Sequence, residues 1–358
     1  APAADKDLIS CCVCIKLNGG LGTSMGLQKA KSLLKVKGED TFLDLIVRQV
    51  KHLRSISGTP VRLLLMNSFS TSADTLAYLE KYAADGFADR AEVELLQNRG
   101  PKILAAGLSP ASCPEQPELE WRPPGHGDLY PALLGSGWLD RLLADGVKYA
   151  FVSNSDNLGA QLDMNFLRWF AESGAPFVME VTRRTEADRK GGHLAVRKSD
   201  GQLILREVAQ CPDEDIPEFQ NISRHRYFNT NTLWIRLDAL KEILDANGGV
   251  LPLPMIRTKQ TLNPRDPESA PVYQLETAMG AGIECFPGAR AVNVPRSRFF
   301  PVKTTSDLFL LRSDAIAVDE HGNVALAPER QGNTPVVDLD ANLYKLADSL
   351  DGLGLPSL

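Results

Sequence analysis

Three features of the sequence predict a doubly wound α/β fold. Short apolar runs of the buried-strand kind alternate with amphipathic helical stretches along the first half of the chain. A glycine-rich loop directly follows the first of these runs. Beyond about residue 176 the alternation gives way to strands joined by turns, which adds an antiparallel part and makes the sheet mixed.

The first run is "LISCCVCIKL", and the loop "KLNGGLGTSMGLQKAKSLL" at 16–34 grows out of it. "TFLDLIVRQVKHL" places Phe42, Leu45, Ile46 and Val50 on one helical face. "VRLLLMN" reads as a buried strand. "STSADTLAYLEKYA" reads as a helix with Ser72 as N-cap and Leu76, Leu79 and Ala83 on one face. "VELLQN" is a further strand. "DLYPALLGSGWLDRLLADG" is helical in its later part and stops at Gly146; "KYAFVSNSD" is a strand ending on a polar cluster. In the second half "PFVMEVTRR", "GGHLAVR" and "LILREVAQ" read as strands, the last two joined by the turn "SDG" at 199–201. "FNTNTLWIRL" is a strand, and "DALKEILDANGG" is a helix with Asp238 as N-cap and a glycine stop. After "VPRSRFFPVKTTSDLFLLRSD" the chain turns polar and loop-rich. "APERQGNTPVVDLD" reads as a linker, and "LADSLDGLGLPSL" carries too little apolar surface for a domain.

Length and charge exclude several classes. A chain of 358 residues implies roughly two domains. A net charge of −6 argues against a general binder of nucleic acid or anionic membrane, which shows a basic excess. No apolar run reaches the ~18 residues of a spanning helix. The opening "APAADKDLIS" lacks the basic and apolar regions of a signal peptide, and it lacks a Met, as a trimmed start would. The six cysteines read as free thiols of a reducing compartment, so a cytoplasmic location is expected. "CCVC" matches no zinc spacing and reads as small buried residues on a strand.

The glycine loop is neither of two familiar phosphate loops. A P-loop needs Lys-Ser/Thr directly after its last glycine, whereas Leu27 and Gln28 follow Gly26. A dinucleotide fingerprint needs a third glycine where Met25 sits. Gly19, Gly20 and Gly22 with Thr23, Ser24, Lys29 and Lys31 still suit a phosphate or a base edge, through backbone N–H groups. In open α/β sheets ligands bind beyond the carboxyl ends of the strands. A second cluster, "SNSDNLGA" at 153–160, is expected there. Its Asp156 is either a Mg²⁺ anchor or a helix cap. A third, "VPRSRFFPVKTTSD" at 294–307, brings Arg296, Arg298 and Lys303. It is either a solvated basic loop or a phosphate contact with Lys303 directed inward. "PPGHGDLY" at 123–130 adds a glycine turn with His126 and Asp128, of structural or catalytic use. No Ser-His-Asp or Cys-His pattern stands out. The combination points to phosphoryl or nucleotidyl transfer by positioning and charge stabilisation.

The motifs "KLNGGLGTSMG", "PPGHGDLY", "YAFVSNSDNLGA", "FNTNTLWI", "QLETAMGA" and "NVPRSRFFPVKTTSDL" occur in that order, and the chain over roughly residues 14–314 resembles the UTP–glucose-1-phosphate uridylyltransferases. The resemblance implies a Rossmann-like doubly wound mixed sheet of the sugar nucleotidyltransferase (GT-A-like) type. It implies a catalytic domain at 1–314, with a nucleotide-binding half at about 8–175 and a sugar-binding half at about 176–314, and a linker or C-terminal segment at 315–358. It implies the reversible conversion of UTP and glucose 1-phosphate to UDP-glucose and pyrophosphate with Mg²⁺, by direct in-line attack. No nucleic-acid or membrane partner is expected.

Carried over by motif, Leu17, Gly19 and Gly20 lie against the uridine, with Gly22 and Thr23 in the same nucleotide loop. Lys31 contacts the triphosphate and Lys303 the phosphates, while Gln97 and Gly125 read the uracil edge. His126 approaches the sugar phosphate and Asp156 holds Mg²⁺. Asn154, Gly192, Glu207, Asn229 and Asn231 belong to the sugar side. Three departures stand out: about fifteen residues precede the loop where the family carries a helical segment, the family's C-terminal β-helix domain has no counterpart here, and Arg183–Arg184 replace the usual Pro-Lys. The readings left beside this one are a pyrophosphorylase for another UDP-sugar, such as UDP-N-acetylhexosamine, and a nucleotide-sugar-binding regulator without turnover.

Overall fold

In the computed structural model, which describes residues 3–264, 266–351 and 353, the chain is mixed α/β and divides into two units. The first takes the described residues up to Glu94, then Tyr149–Gly174, then those from Val294 onward. The second takes Leu95–Lys148 and Ala175–Asn293. These boundaries differ from halves meeting near residue 176, because long-range contacts, given below, tie the late segment to the early one.

In the first unit strand Cys12–Asn18 runs parallel to Arg62–Asn67 on one side and to Tyr149–Asn154 on the other. All three are apolar runs, as strands covered on both faces require. Register sets Asn18 opposite Asn67 and Leu17 opposite Asn154, so the carboxyl ends lie level and every following loop starts from one edge. Helix Phe42–Ser57 opens with a reciprocal Thr41–Asp44 capping box and ends at Gly58, whose φ of 69° suits a residue without a Cβ. Its predicted face, Phe42, Leu45, Ile46 and Val50, is buried.

Several local expectations shift. Leu8–Ser10 close a helix, Ala3–Ser10, because Cys11 N–H bonds back to the Leu8 carbonyl before the strand begins. In helix Ser72–Leu79 the cap position is Thr71; Leu79 is buried, but Ala83 is exposed in a following 3₁₀ turn. The late segment forms helix Thr305–Arg312, opened by a Thr304–Asp307 capping box, and a hairpin of Ile316–Val318 with Val324–Leu326. Ala347 and Leu350 are buried, while 352 and 354–358 of the stretch read as too polar for a domain lie outside the described residues. Among the described residues there is no C-terminal β-helix.

In the second unit strand Phe177–Arg183 pairs antiparallel with Tyr227–Arg236 and parallel with Arg290–Asn293. His193–Val196 and Leu203–Arg206 form the expected hairpin, with Gly201 at φ 73°. A separate sheet of Ile103–Leu104, Pro271–Thr277 and Met255–Thr261 was not legible, since the last strand is mostly exposed and has no apolar period. Helices Leu129–Gly135 and Trp138–Ala144 are separated at Gly137, so the earlier part of that stretch is helical too. Helix Leu237–Ala246 is capped at Arg236; Asp238 lies in its first turn and accepts from the Arg236 side chain instead of serving as the cap.

Candidate active site

Three of the four polar clusters found in the sequence meet within the first unit. The glycine loop leaves Asn18 through a buried rung: Asn18 Nδ2 donates to Asn67 Oδ1 (2.7 Å) and Thr75 Oγ1 (3.0 Å), and Asn67 Nδ2 donates to Glu94 Oε1 (2.8 Å). Ser68 Oγ donates to the Gly19 carbonyl at 2.9 Å. Gly22 and Gly26 take φ values of 69° and 78°, around a 3₁₀ turn, Thr23–Met25, whose Met25 is buried. The loop closes where Lys31 N–H donates to the Gly20 carbonyl (3.1 Å).

The 153–160 cluster is anchored from below by a buried lysine. Lys16 Nζ donates to Ser153 Oγ (2.7 Å) and to the Ala160 carbonyl (2.8 Å). The 294–303 segment is stitched onto the same cluster. Phe300 N–H donates to Asn157 Oδ1 (2.9 Å), Val302 N–H donates to the Asp156 carbonyl (3.2 Å), and Arg298 Nη2 donates to the Gln161 carbonyl (2.9 Å). Gly159 makes the fit possible, since a Cβ there would lie 2.8 Å from the Ser297 carbonyl oxygen.

At the focus of these loops Lys31 Nζ lies 2.6 Å from Asp156 Oδ2 and also donates to the Val302 carbonyl. The two side chains are only 16% and 17% exposed, so solvent screens their attraction weakly. Asp156 Oδ1 is buried and has no hydrogen-bond partner. Asp156 therefore acts as an ion-pair partner with coordinating capacity to spare, and the helix-cap alternative falls away. Of the two readings of Lys303, the side chain follows the exposed one: it lies 5.9 Å from the Phe299 ring, and its backbone N–H donates to Asp307 Oδ2 at 2.8 Å.

The second unit holds the fourth cluster and the remaining candidates. Gly125, at φ 85°, and Gly127 lie hard against Thr277: a Cβ on Gly125 would be 2.5 Å from the Thr277 carbonyl oxygen, and one on Gly127 2.3 Å from its Oγ1. Thr277 N–H donates to the Pro124 carbonyl at 3.0 Å. Asp128 accepts from Asn98 N–H (2.6 Å) and Asn98 Nδ2 (3.0 Å), so one carboxylate fixes the chain at buried Gln97 to the turn carrying Gly125 and His126. His126 Nδ1 accepts from Met279 N–H at 3.0 Å. Its proton therefore resides on Nε2, and burial pushes the pKa down to about 4, so the ring is neutral at pH 7.

Of the residues implied for the sugar, Asn154 ends strand Tyr149–Asn154 in the first unit, and the other four form a group in the second. Strand Tyr227–Arg236 bulges opposite Glu180 and Val181, and Asn231 there adopts φ 58°, a left-handed conformation that asparagine tolerates. Asn229 and Asn231 lock reciprocally: Asn229 Nδ2 donates to Asn231 Oδ1 and Asn231 N–H to Asn229 Oδ1, both at 2.8 Å. Asn229 N–H donates to the Gly192 carbonyl (3.0 Å), and a Cβ on Gly192 would fall 2.5 Å from the Glu207 carboxylate. Gly192, Glu207, Asn229 and Asn231 are thus one local set. Arg184 is buried and donates to the Phe219, His225, Asp188 and Arg189 carbonyls, a structural use.

Two groups escaped the sequence reading: the Val302 carbonyl and the Met279 N–H. Both are backbone groups, which no side-chain pattern reveals. All six cysteines are free, and among the described residues no group of three His, Cys, Asp or Glu is placed to hold a metal by itself. Among the described residues no helix is long and apolar enough to cross a membrane.

A sequence profile described as UTP–glucose-1-phosphate uridylyltransferase matches residues 1–353. The Saccharomyces cerevisiae UTP–glucose-1-phosphate uridylyltransferase is 46% identical over 93% of this chain, and the Solanum tuberosum enzyme 42% identical over 98%. The chain spans 65% and 71% of those relatives' own lengths. Among solved structures, a Trypanosoma brucei UDP-glucose phosphorylase superposes with a TM-score of 0.91 at 50% identity, covering 98% of this chain and 76% of that one. A Leishmania major UDP-glucose pyrophosphorylase variant in complex with UDP-glucose gives 0.92 at 48% identity, covering 99% and 77%. With the profile matched over residues 1–353 and relatives 42–46% identical over nearly all of its length, the chain belongs to the UTP–glucose-1-phosphate uridylyltransferase family.

Proposed function

We propose that this chain joins UTP and glucose 1-phosphate, reversibly, to give UDP-glucose and pyrophosphate. Within this family, the observation that carries the reading is the meeting of three separate polar clusters on the Lys31–Asp156 pair. A phosphate oxygen of glucose 1-phosphate attacks the α-phosphorus of UTP, and pyrophosphate leaves. With a second phosphate pKa of about 6, the attacking oxygen is already an anion at neutral pH and no general base is required. Lys31 and Lys303 stabilise charge building on the phosphates. Leu17, Gly19, Gly20, Gly22 and Thr23 hold the nucleotide, and Gln97 and Gly125 read the uracil edge. His126, with its proton on Nε2, donates a hydrogen bond to the sugar phosphate. Asn154, Gly192, Glu207, Asn229 and Asn231 take the glucose hydroxyls.

The buried, partnerless Asp156 Oδ1 fits a Mg²⁺ anchor, since Mg²⁺ takes one or two carboxylates and completes its shell with water and substrate phosphates. When bound, the ion supplies charge neutralisation to those phosphates. A cytoplasmic location accompanies the proposal, supported by the six free thiols.

Incubating the protein with UTP, Mg²⁺ and a panel of sugar 1-phosphates, and measuring pyrophosphate release, tests the reading. Glucose 1-phosphate is expected to be the preferred acceptor. Faster turnover of N-acetylglucosamine 1-phosphate, or no pyrophosphate with any sugar, overturns it.

A further inference from the structure

We infer that Lys31 is a place-holder: its ammonium keeps the cation seat at Asp156 until a nucleoside triphosphate draws it away, so the divalent ion enters with the nucleotide and not ahead of it. The inference rests on the reading of Asp156 as metal anchor and adds an order of events to it. Lys31 Nζ is 2.6 Å from Asp156 Oδ2 and is held from a second side by the Val302 carbonyl. A divalent cation approaching the remaining oxygen, Oδ1, meets a full positive charge across one carboxylate, in a spot where both side chains are mostly buried. Repulsion between cations at such separations is strong when water is scarce. Removing Lys31 from the carboxylate requires a competing anion; both substrates carry phosphate, and the triphosphate is the one proposed to lie along the glycine loop that Lys31 closes.

The geometry also links the exchange to the glycine loop. Lys31 N–H closes the loop on the Gly20 carbonyl, and a Cβ on Gly22 would lie 3.3 Å from Lys31 Cγ. The lysine stem thus lies along the loop proposed to hold the nucleotide. The other cationic candidate, Lys303, is exposed, whereas Lys31 is the lysine in direct contact with Asp156.

Mn²⁺ serves as the probe, with free Mn²⁺ read by electron paramagnetic resonance during titration of the whole chain. Without nucleotide, Lys31→Met is expected to bind Mn²⁺ about ten-fold or more tightly than wild type. Adding Asp156→Asn to Lys31→Met is expected to abolish that binding. With UTP present, wild type should lower free Mn²⁺ below the level set by UTP alone, and Asp156→Asn should not. Equal nucleotide-free affinity in wild type and Lys31→Met overturns the place-holder, and if Asp156→Asn still removes the UTP-dependent binding, the anchor survives. Binding that persists in every Asp156→Asn form overturns the anchor and the inference together. Should Lys31→Met melt early, Lys31→Gln keeps a donor for the Val302 carbonyl without the charge, and the same outcomes decide.

Discussion

Glycine does different work in the first unit's glycine loop and at the second unit's candidate positions. In the first, Gly22 and Gly26 bend the loop through left-handed conformations, and a Cβ on Gly20 would meet nothing within 4 Å. In the second, Gly125, Gly127, Gly192 and Gly280 lie so close to neighbouring atoms that a Cβ would fall 2.3 to 2.6 Å from them. The candidates differ in the same sense. The first unit offers charge: Lys31, Asp156 and Lys303. The second offers mostly neutral hydrogen-bonding groups in locked pairs, such as Asn229 with Asn231 and His126 with Met279 N–H. On the proposed function, phosphate and metal would be handled by charge that can redistribute, whereas a base edge or a sugar hydroxyl needs a rigid, shaped surface, because a misplaced neutral donor gains nothing.

The largest expected effect breaks the charged half. Asp156→Asn should cut metal-dependent turnover by about 10³-fold while the fold survives, because the amide keeps the shape and loses the charge. Wild-type activity at limiting Mg²⁺ in that variant would remove Asp156 as anchor. Lys31→Ala and Lys303→Ala should each lower kcat by roughly 10²-fold, more than they raise KM, if their charge acts selectively in the transition state. A change confined to KM would make them ground-state binders.

A third test opposes the two kinds of glycine. Gly127→Ala should destabilise the protein by about 1–3 kcal/mol in denaturant melts, the cost of forcing atoms into a packed contact, whereas Gly20→Ala should stay within about 0.5 kcal/mol. Equal losses would erase the distinction drawn above. The smallest effect concerns pH. Because His126 is held neutral with a pKa of about 4 in the fold, the unfolded chain binds more protons between its ordinary range near 6.5 and 4. Stability is therefore unaffected by this group above about pH 6.5 and falls as pH drops toward 4. His126→Asn should flatten part of that decline. The rest belongs in part to His193, which burial likewise lowers to about 4. In the same variant the acid limb of the rate profile should stay where substrate ionisation puts it; its disappearance would make His126 a titrating catalytic group.

Much of this was legible because periodicity and end signals act locally. The helix starting at Phe42 carried its apolar face in plain sequence, and the Cys12–Asn18 strand carried a buried run. Asp156 was legible as a polar residue just past a strand end. Its partner Lys31 lies 125 positions away, and the pairing is a tertiary fact. The two readings of Lys303 could not be separated from sequence either: its side chain is exposed beside a cap between Thr304 and Asp307 that only the folded chain forms. The Asn231 conformation arises from a bulge that only strand pairing defines. Sheet Ile103–Leu104 with Pro271–Thr277 joins segments far apart in sequence whose strands are too short or too exposed to announce themselves.

The interleaving of the two units has a consequence for synthesis on the ribosome. The chain passes between them four times, after Glu94, Lys148, Gly174 and Asn293. The second unit has all of its residues once Asn293 has emerged, so it can finish first although its first residue is Leu95. The first unit must wait, since Lys31 finds the Val302 carbonyl only when a segment 271 residues later has been made. During that interval the first unit lacks its last segment, whose Leu308 and Ile316 are buried in the finished fold, and uncovered apolar surface invites association with other nascent chains. Slow translation near residue 300 would prolong this window, and a chaperone that shields apolar surface would be needed most at that point of elongation.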